Sequence, residues 1–252
     1  MRSLPLILAL LSTAAAAQTS PILIPIYFNG PGAGGAQWYT RVQVTNRGPE
    51  HLPGAGVQFL TICSANPLGC HEDRARRGTF AMIEGPESVT GLLLHADAAQ
   101  ADAIDVQAHF GEEHRHPGAL GIELPVVRER DFRTTPFGFP VVNIQPPYRA
   151  LLRLYSPDPI QGQRVRVIAR LWSIPTNSFV EAWDLTLFVP DTSPTPMRPA
   201  FAQLDLTELS QETALQAVRV DVVPLETDGH TPRIWGFVTI TDVTNDVRVM
   251  RP

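Results

Sequence analysis

Short apolar runs of strand length recur along the chain, and two of them, the first with clean period-two alternation, open matching units. Trp38 to Asn46 places Trp38, Thr40, Val42 and Val44 on one face and Tyr39, Arg41, Gln43 and Thr45 on the other. Tyr148 to Ser156 is a second run of strand length that ends in a turn signal. Each leads into a further β-rich stretch, Ala55–Cys63 and Gln163–Ser173. Two such units predict an all-β chain built as two antiparallel β-sandwich domains in tandem. Other expected strands of the first unit are Pro21–Phe28, Phe80–Ile83 at an edge, and Val89–His95 paired with Ala103–Phe110. The alanine-rich bridge Ala96–Asp102 suits either a helix or a connection. Leu124–Arg130 closes that unit. The second unit should add Val180–Val189, Ala200–Leu206, Ala217–Leu225, Arg233–Thr241 and Asp246–Met250. Thr227-Asp228-Gly229-His230 is expected to be the strongest hairpin turn in the chain, joining the strands on either side, because Asp-Gly suits positive φ. The same phase predicts a core of Trp38, Val42, Val44, Leu152, Leu154, Val167, Leu171, Trp235 and Phe237, with Trp172 and Trp183 also buried.

The N-terminus changes the picture of where such a fold works. Arg2 precedes the short apolar run Leu4–Leu11 and the small residues Ala14–Ala17, the order of a secretory signal. Residues 1–17 are therefore expected to be a signal peptide, 18–127 the first sandwich and 128–252 the second, joined near 127–140. The expected location is periplasmic or secreted, with no transmembrane segment. All 20 basic residues are Arg, and the formal net charge of −5 becomes −6 once Arg2 is removed, which argues against a nucleic-acid partner. The 24 prolines and 18 glycines interrupt the chain too often for long helices. Two cysteines, Cys63 and Cys70, enclose six residues; in an oxidising compartment they are expected to form a disulfide.

The stretch Asn-Gly-Pro-Gly-Ala-Gly-Gly-Ala-Gln-Trp-Tyr-Thr-Arg-Val-Gln-Val-Thr-Asn (29–46) resembles the opening of uncharacterised secreted bacterial proteins, in which a Pro-Gly-x-Gly-Gly turn precedes a Trp-x-Thr strand. Leu124–Glu129 is similar to their inter-domain link and Arg233–Thr241 to their last core strand. Asp242–Asp246 departs from their Asn-rich turn. The resemblance implies tandem Ig-like sandwiches outside the cytoplasm and implies no reaction.

Candidate chemistry is sparse. The Gly-rich turn 29–35 lacks the helix that a phosphate cradle needs. Gly-x-Ser-x-Gly and spaced Asp calcium motifs are both missing. His109, Glu113, His114 and His116 form a weak metal-ligand candidate, since neutral imidazoles and a carboxylate suit zinc, but the spacing matches no zinc signature. An exposed Gly/Pro-flanked loop accounts for the same residues. The expectation is therefore a non-enzymatic binding module without a cofactor. It would present Asn29, Arg74, Arg77, His114 and His116 on end loops to a protein or glycan ligand at the cell envelope. The alternative is an exported metal-dependent hydrolase using His109–His116.

Overall fold

The computed structural model describes residues 19–31, 36–47, 60–63, 70–73, 80–84, 91–99, 101–112, 121–173, 178–190, 192, 198–213, 215–242 and 247–252. The fold is all-β and antiparallel. Its first strands are β1 (Thr19–Ile24), β2 (Asn29–Pro31), β3 (Gln37–Asn46), β4 (Leu60–Cys63), β5 (Cys70–Asp73), β6 (Phe80–Glu84), β7 (Leu92–Asp97), β8 (Ile104–Glu112), β9 (Ile122–Leu124) and β10 (Val127–Arg128). They form one sheet of order β10-β1-β7, a second of order β2-β3-β8-β9 with β6 also on β3, and the hairpin β4-β5. After a 3-10 turn at Glu129–Asp131 come β11 (Phe137–Asn143), β12 (Arg149–Ser156), β13 (Arg164–Leu171), β14 (Phe179–Thr186), β15 (Ala200–Asp205), the short helix α1 (Glu208–Thr213), β16 (Ala217–Leu225), β17 (Trp235–Thr241) and β18 (Val247–Met250). These make two four-stranded sheets, β11-β16-β13-β14 and β15-β12-β17-β18.

The C-terminal sheets pack face to face as a sandwich. Phe139, Val142, Val165, Val167, Val218, Val220 and Val222 from one sheet meet Ala150, Leu152, Leu154, Ala202 and Val238 from the other in one buried cluster. The N-terminal sheets share a second cluster, in which β1 and β7 differ from ordinary half-buried strands. Ile22, Leu23 and Ile24 are all fully buried, as are Leu93 and Leu94. Successive side chains point to opposite sides, so both faces of this sheet are covered. The second cover comes from across the chain: Tyr155, Trp235 and Phe237 belong to the same cluster. Tyr155 also donates its hydroxyl to the carbonyl of Pro25. Burial raises the pKa of this phenol, so it stays a proton donor. Close approach here requires Gly91 (φ +83°), where a Cβ would stand 2.9 Å from the Ile24 carbonyl oxygen and 3.3 Å from the Tyr155 ring.

The connecting segment is tied down on both sides. Arg128 donates to the carbonyls of Ala101 (2.7 Å) and Ile104 (2.6 Å). Arg233 forks onto Asp158 (2.6 and 3.1 Å) and reaches Glu129 at 3.0 Å. Arg133 and Ile234 form a backbone bridge.

Several expectations need correction. The β7 and β8 strands are not partners: β7 pairs with β1 and β8 with β3, so Ala96–Asp102 crosses between sheets and ends in a 3-10 turn. Asp228 and Gly229 do adopt positive φ (52° and 75°), with Thr227 and His230 bridged, yet the strands on either side lie in opposite sheets. Leu171 is only partly buried and Trp172 is 51% exposed, because β13 ends there and leaves the sandwich. Trp183 packs partly buried against the C-terminal core. Trp38 shares the face of buried Thr40, Val42 and Val44 but is only half-buried.

Candidate binding cleft

The alternation of β12 sends Ala150, Leu152 and Leu154 into the C-terminal core. Arg149, Leu151, Arg153 and Tyr155 therefore line the opposite face. On β17 the corresponding outward row is Trp235, Phe237, Thr239 and Thr241. Register sets Tyr155 opposite Trp235, Arg153 opposite Phe237, Leu151 opposite Thr239 and Arg149 opposite Thr241. The aromatic end of this face is the part packed into the N-terminal cluster. The other end borders a cleft of about 340 Å³. Arg149, Leu151, Arg153, Thr239 and Thr241 line one wall; Ile26, Phe28, Trp38 and Phe110 line the other. This size lies at the lower end of small-molecule sites.

The aromatic wall is built from the N-terminal sheets. Trp38 on β3 and Phe110 on β8 stack with centroids 4.8 Å apart and planes 5° from parallel. The segment after β1 is fixed by buried Thr40, whose hydroxyl donates to the Ile26 carbonyl (3.1 Å) and accepts from the Phe28 amide (3.1 Å). Thr40 N–H also donates to the Phe28 carbonyl at 2.7 Å. Ile26 and Phe28 thus reach the cleft on a pinned backbone.

The cationic wall is unequal. Arg149 is neutralised by Asp205 (Nε–Oδ2 3.1 Å). Arg153 donates Nη1 to the Thr239 hydroxyl at 2.5 Å and lies with Cζ 5.9 Å from the Phe237 ring centroid. Its Nε is buried without a hydrogen-bond partner. Among the described residues no carboxylate forms an ion pair with it. Burial lowers the pKa of this guanidinium; Tyr155 opposes that shift, and the like charge of Arg149 adds a smaller push in the lowering direction. Asp242 completes the rim.

Of the sites expected from sequence, His109 lies partly buried on β8, opposite Arg41 and Glu123. Asn29 begins β2 and pairs with Tyr39. Arg74, Arg77, Glu113, His114 and His116 lie outside the described residues, so the metal cluster and the loop surface stay expectations. Among the described residues no three His, Cys, Asp or Glu side chains gather as a metal site. Cys63 and Cys70 stand directly opposite one another in the β4–β5 ladder; their side chains lie outside the described set. Sequence reasoning missed Arg153. The available signal was its row: Leu151 and Tyr155 share its face, so a strand already apolar on one side was apolar on the other as well.

No family model matches the chain, and no curated protein matches it significantly. One solved structure aligned with it is described as the 2.6 Å structure of infectious bursal virus derived T=1 particles. The identity is 10% and the TM-score 0.19 over 89% of this chain, which spans 64% of that one. A likeness this low carries no argument about fold or function. Among the described residues no helix is long and apolar enough to cross a membrane.

Proposed function

We propose that the chain is an exported, non-enzymatic binding protein whose working surface is the cleft between its N- and C-terminal sheets. The observation that carries this reading is the stacked Trp38–Phe110 wall facing a polar wall around Arg153. Such a mix of apolar surface and a few placed polar groups is what small-ligand sites share. The end loops first expected to bind give way here to a site walled mainly by strands, which hold side chains more rigidly. Export rests on the ordered Arg2, Leu4–Leu11 and Ala14–Ala17 segments and on the resemblance to secreted tandem Ig-like proteins. In the same reading the two groups of sheets are tandem domains meeting near 127/128. A Cys63–Cys70 disulfide would then staple the β4–β5 hairpin, an assignment supported by their opposite positions in the ladder.

The test uses the mature chain exported from cells. Aromatic fragments should perturb the Trp38 indole N–H resonance saturably, and Trp38→Ala should abolish binding while the fold persists. Ester, peptide and glycoside substrates with added zinc or calcium should give no turnover. Turnover lost on His114→Ala would replace this reading with the hydrolase.

A further inference from the structure

The cleft carries one feature that a purely apolar site would not need. Arg153 is a partly buried guanidinium at the cleft that no carboxylate meets among the described residues, and such a charge is better satisfied when an anion joins it. Other arginines of the same unit are handled differently: Arg164 and Arg166 share Asp184, Arg170 and Arg219 share Asp221, and Arg233 forks onto Asp158. Among the described residues Arg153 meets the Thr239 hydroxyl and lies over the Phe237 ring, with no carboxylate. Its Nε is covered by the protein, but among the described residues no acceptor meets Nη2, and the Nη1–Nη2 end of the guanidinium can grip a carboxylate.

We propose that the cleft takes a small monoanionic carboxylate with a flat apolar body, its carboxylate on Arg153 and its ring on the Trp38–Phe110 wall. The inference rests on the reading of the cleft as the binding site and goes further by naming the ligand class. The single negative charge follows from the local count. Arg149 is already neutralised by Asp205. That leaves one cation to satisfy. The flat body follows from the near-parallel aromatic pair and from Ile26, Phe28 and Leu151 beside it. A volume of about 340 Å³ suits a molecule of one or two rings better than a folded partner.

The experiment is calorimetric titration of the mature chain with three probes of matched shape: indole-3-acetate (anionic), tryptophol (neutral) and tryptamine (cationic). The expected order is indole-3-acetate tightest by about ten-fold over tryptophol, with tryptamine weakest. Arg153→Met should remove the preference, and Arg153→Lys should keep a part of it, since a point charge remains without the fork. Thermal unfolding of each variant verifies that it is folded. Equal binding of all three probes, or a preference that survives Arg153→Met, overturns the carboxylate assignment. If Trp38→Ala weakens those equal affinities, the cleft itself still binds. Failure of every probe to bind the folded chain at millimolar concentration overturns both readings.

Discussion

The two outer faces of the C-terminal sandwich spend arginine in opposite ways. On the β11-β16-β13-β14 sheet, exposed Arg164, Arg166 and Arg219 and partly buried Arg170 all pair with Asp184 or Asp221. On the β15-β12-β17-β18 sheet, Arg153 lies beneath the N-terminal sheets without a carboxylate. The first face is what a solvated sheet looks like: charged pairs that cost little and stabilise little. The second is an interface, where Tyr155, Trp235 and Phe237 supply area and Arg153 supplies an unmet charge. A partly buried cation that no carboxylate meets among the described residues is the group that the proposed ligand would satisfy.

The comparison can be broken first at its aromatic end. Phe237→Ala removes a fully buried ring that joins the two halves and should cost about 3–5 kcal/mol in urea unfolding. A loss near zero would mean that the halves do not pack through this face. Tyr155→Phe, which leaves the Pro25 carbonyl without its donor, should cost about 1–3 kcal/mol by the same assay. Arg153→Met should be neutral or stabilising by up to about 2 kcal/mol, because it deletes a charge that lacks a partner. A strong destabilisation would show that Arg153 is structural.

The smallest effect belongs to the solvated face. Asp184→Asn should leave the melting temperature almost unchanged, and added salt should erase what little difference exists. Its pH dependence has a definite sign. The hydrogen bond from Arg166 holds the Asp184 carboxyl below its ordinary value of 3.8, so any stabilisation is complete above that value and is lost as pH falls through the lower folded one. In acid titration the small difference between the wild type and Asp184→Asn should therefore be constant above about pH 4 and disappear below it.

Much of the architecture could be read from the sequence because a period-two pattern is a local property. Both runs that open the matching units, now β3 and β12, proved to be inner strands of their sheets. Pairing was harder. Nothing local to Ala96–Asp102 says that the chain changes sheets, and Asp228-Gly229 makes its turn whether or not the flanking strands pair. The site was harder still. Trp38 keeps the core phase of Val42 and Val44, and only the relation of the two sheets at that end of β3 leaves the ring at a cleft. Arg153 looked like an ordinary outward residue because the wall facing it comes from distant parts of the chain: Ile26, Phe28, Trp38 and Phe110.

The most direct measurement is a two-dimensional NMR spectrum of the arginine Nε–H groups, followed as indole-3-acetate is added to the mature chain. The account predicts a saturable shift of the Arg153 signal at concentrations that leave Arg166, on the opposite face, unmoved. An Arg153 signal that stays still, or arginine signals that all drift together, would contradict it.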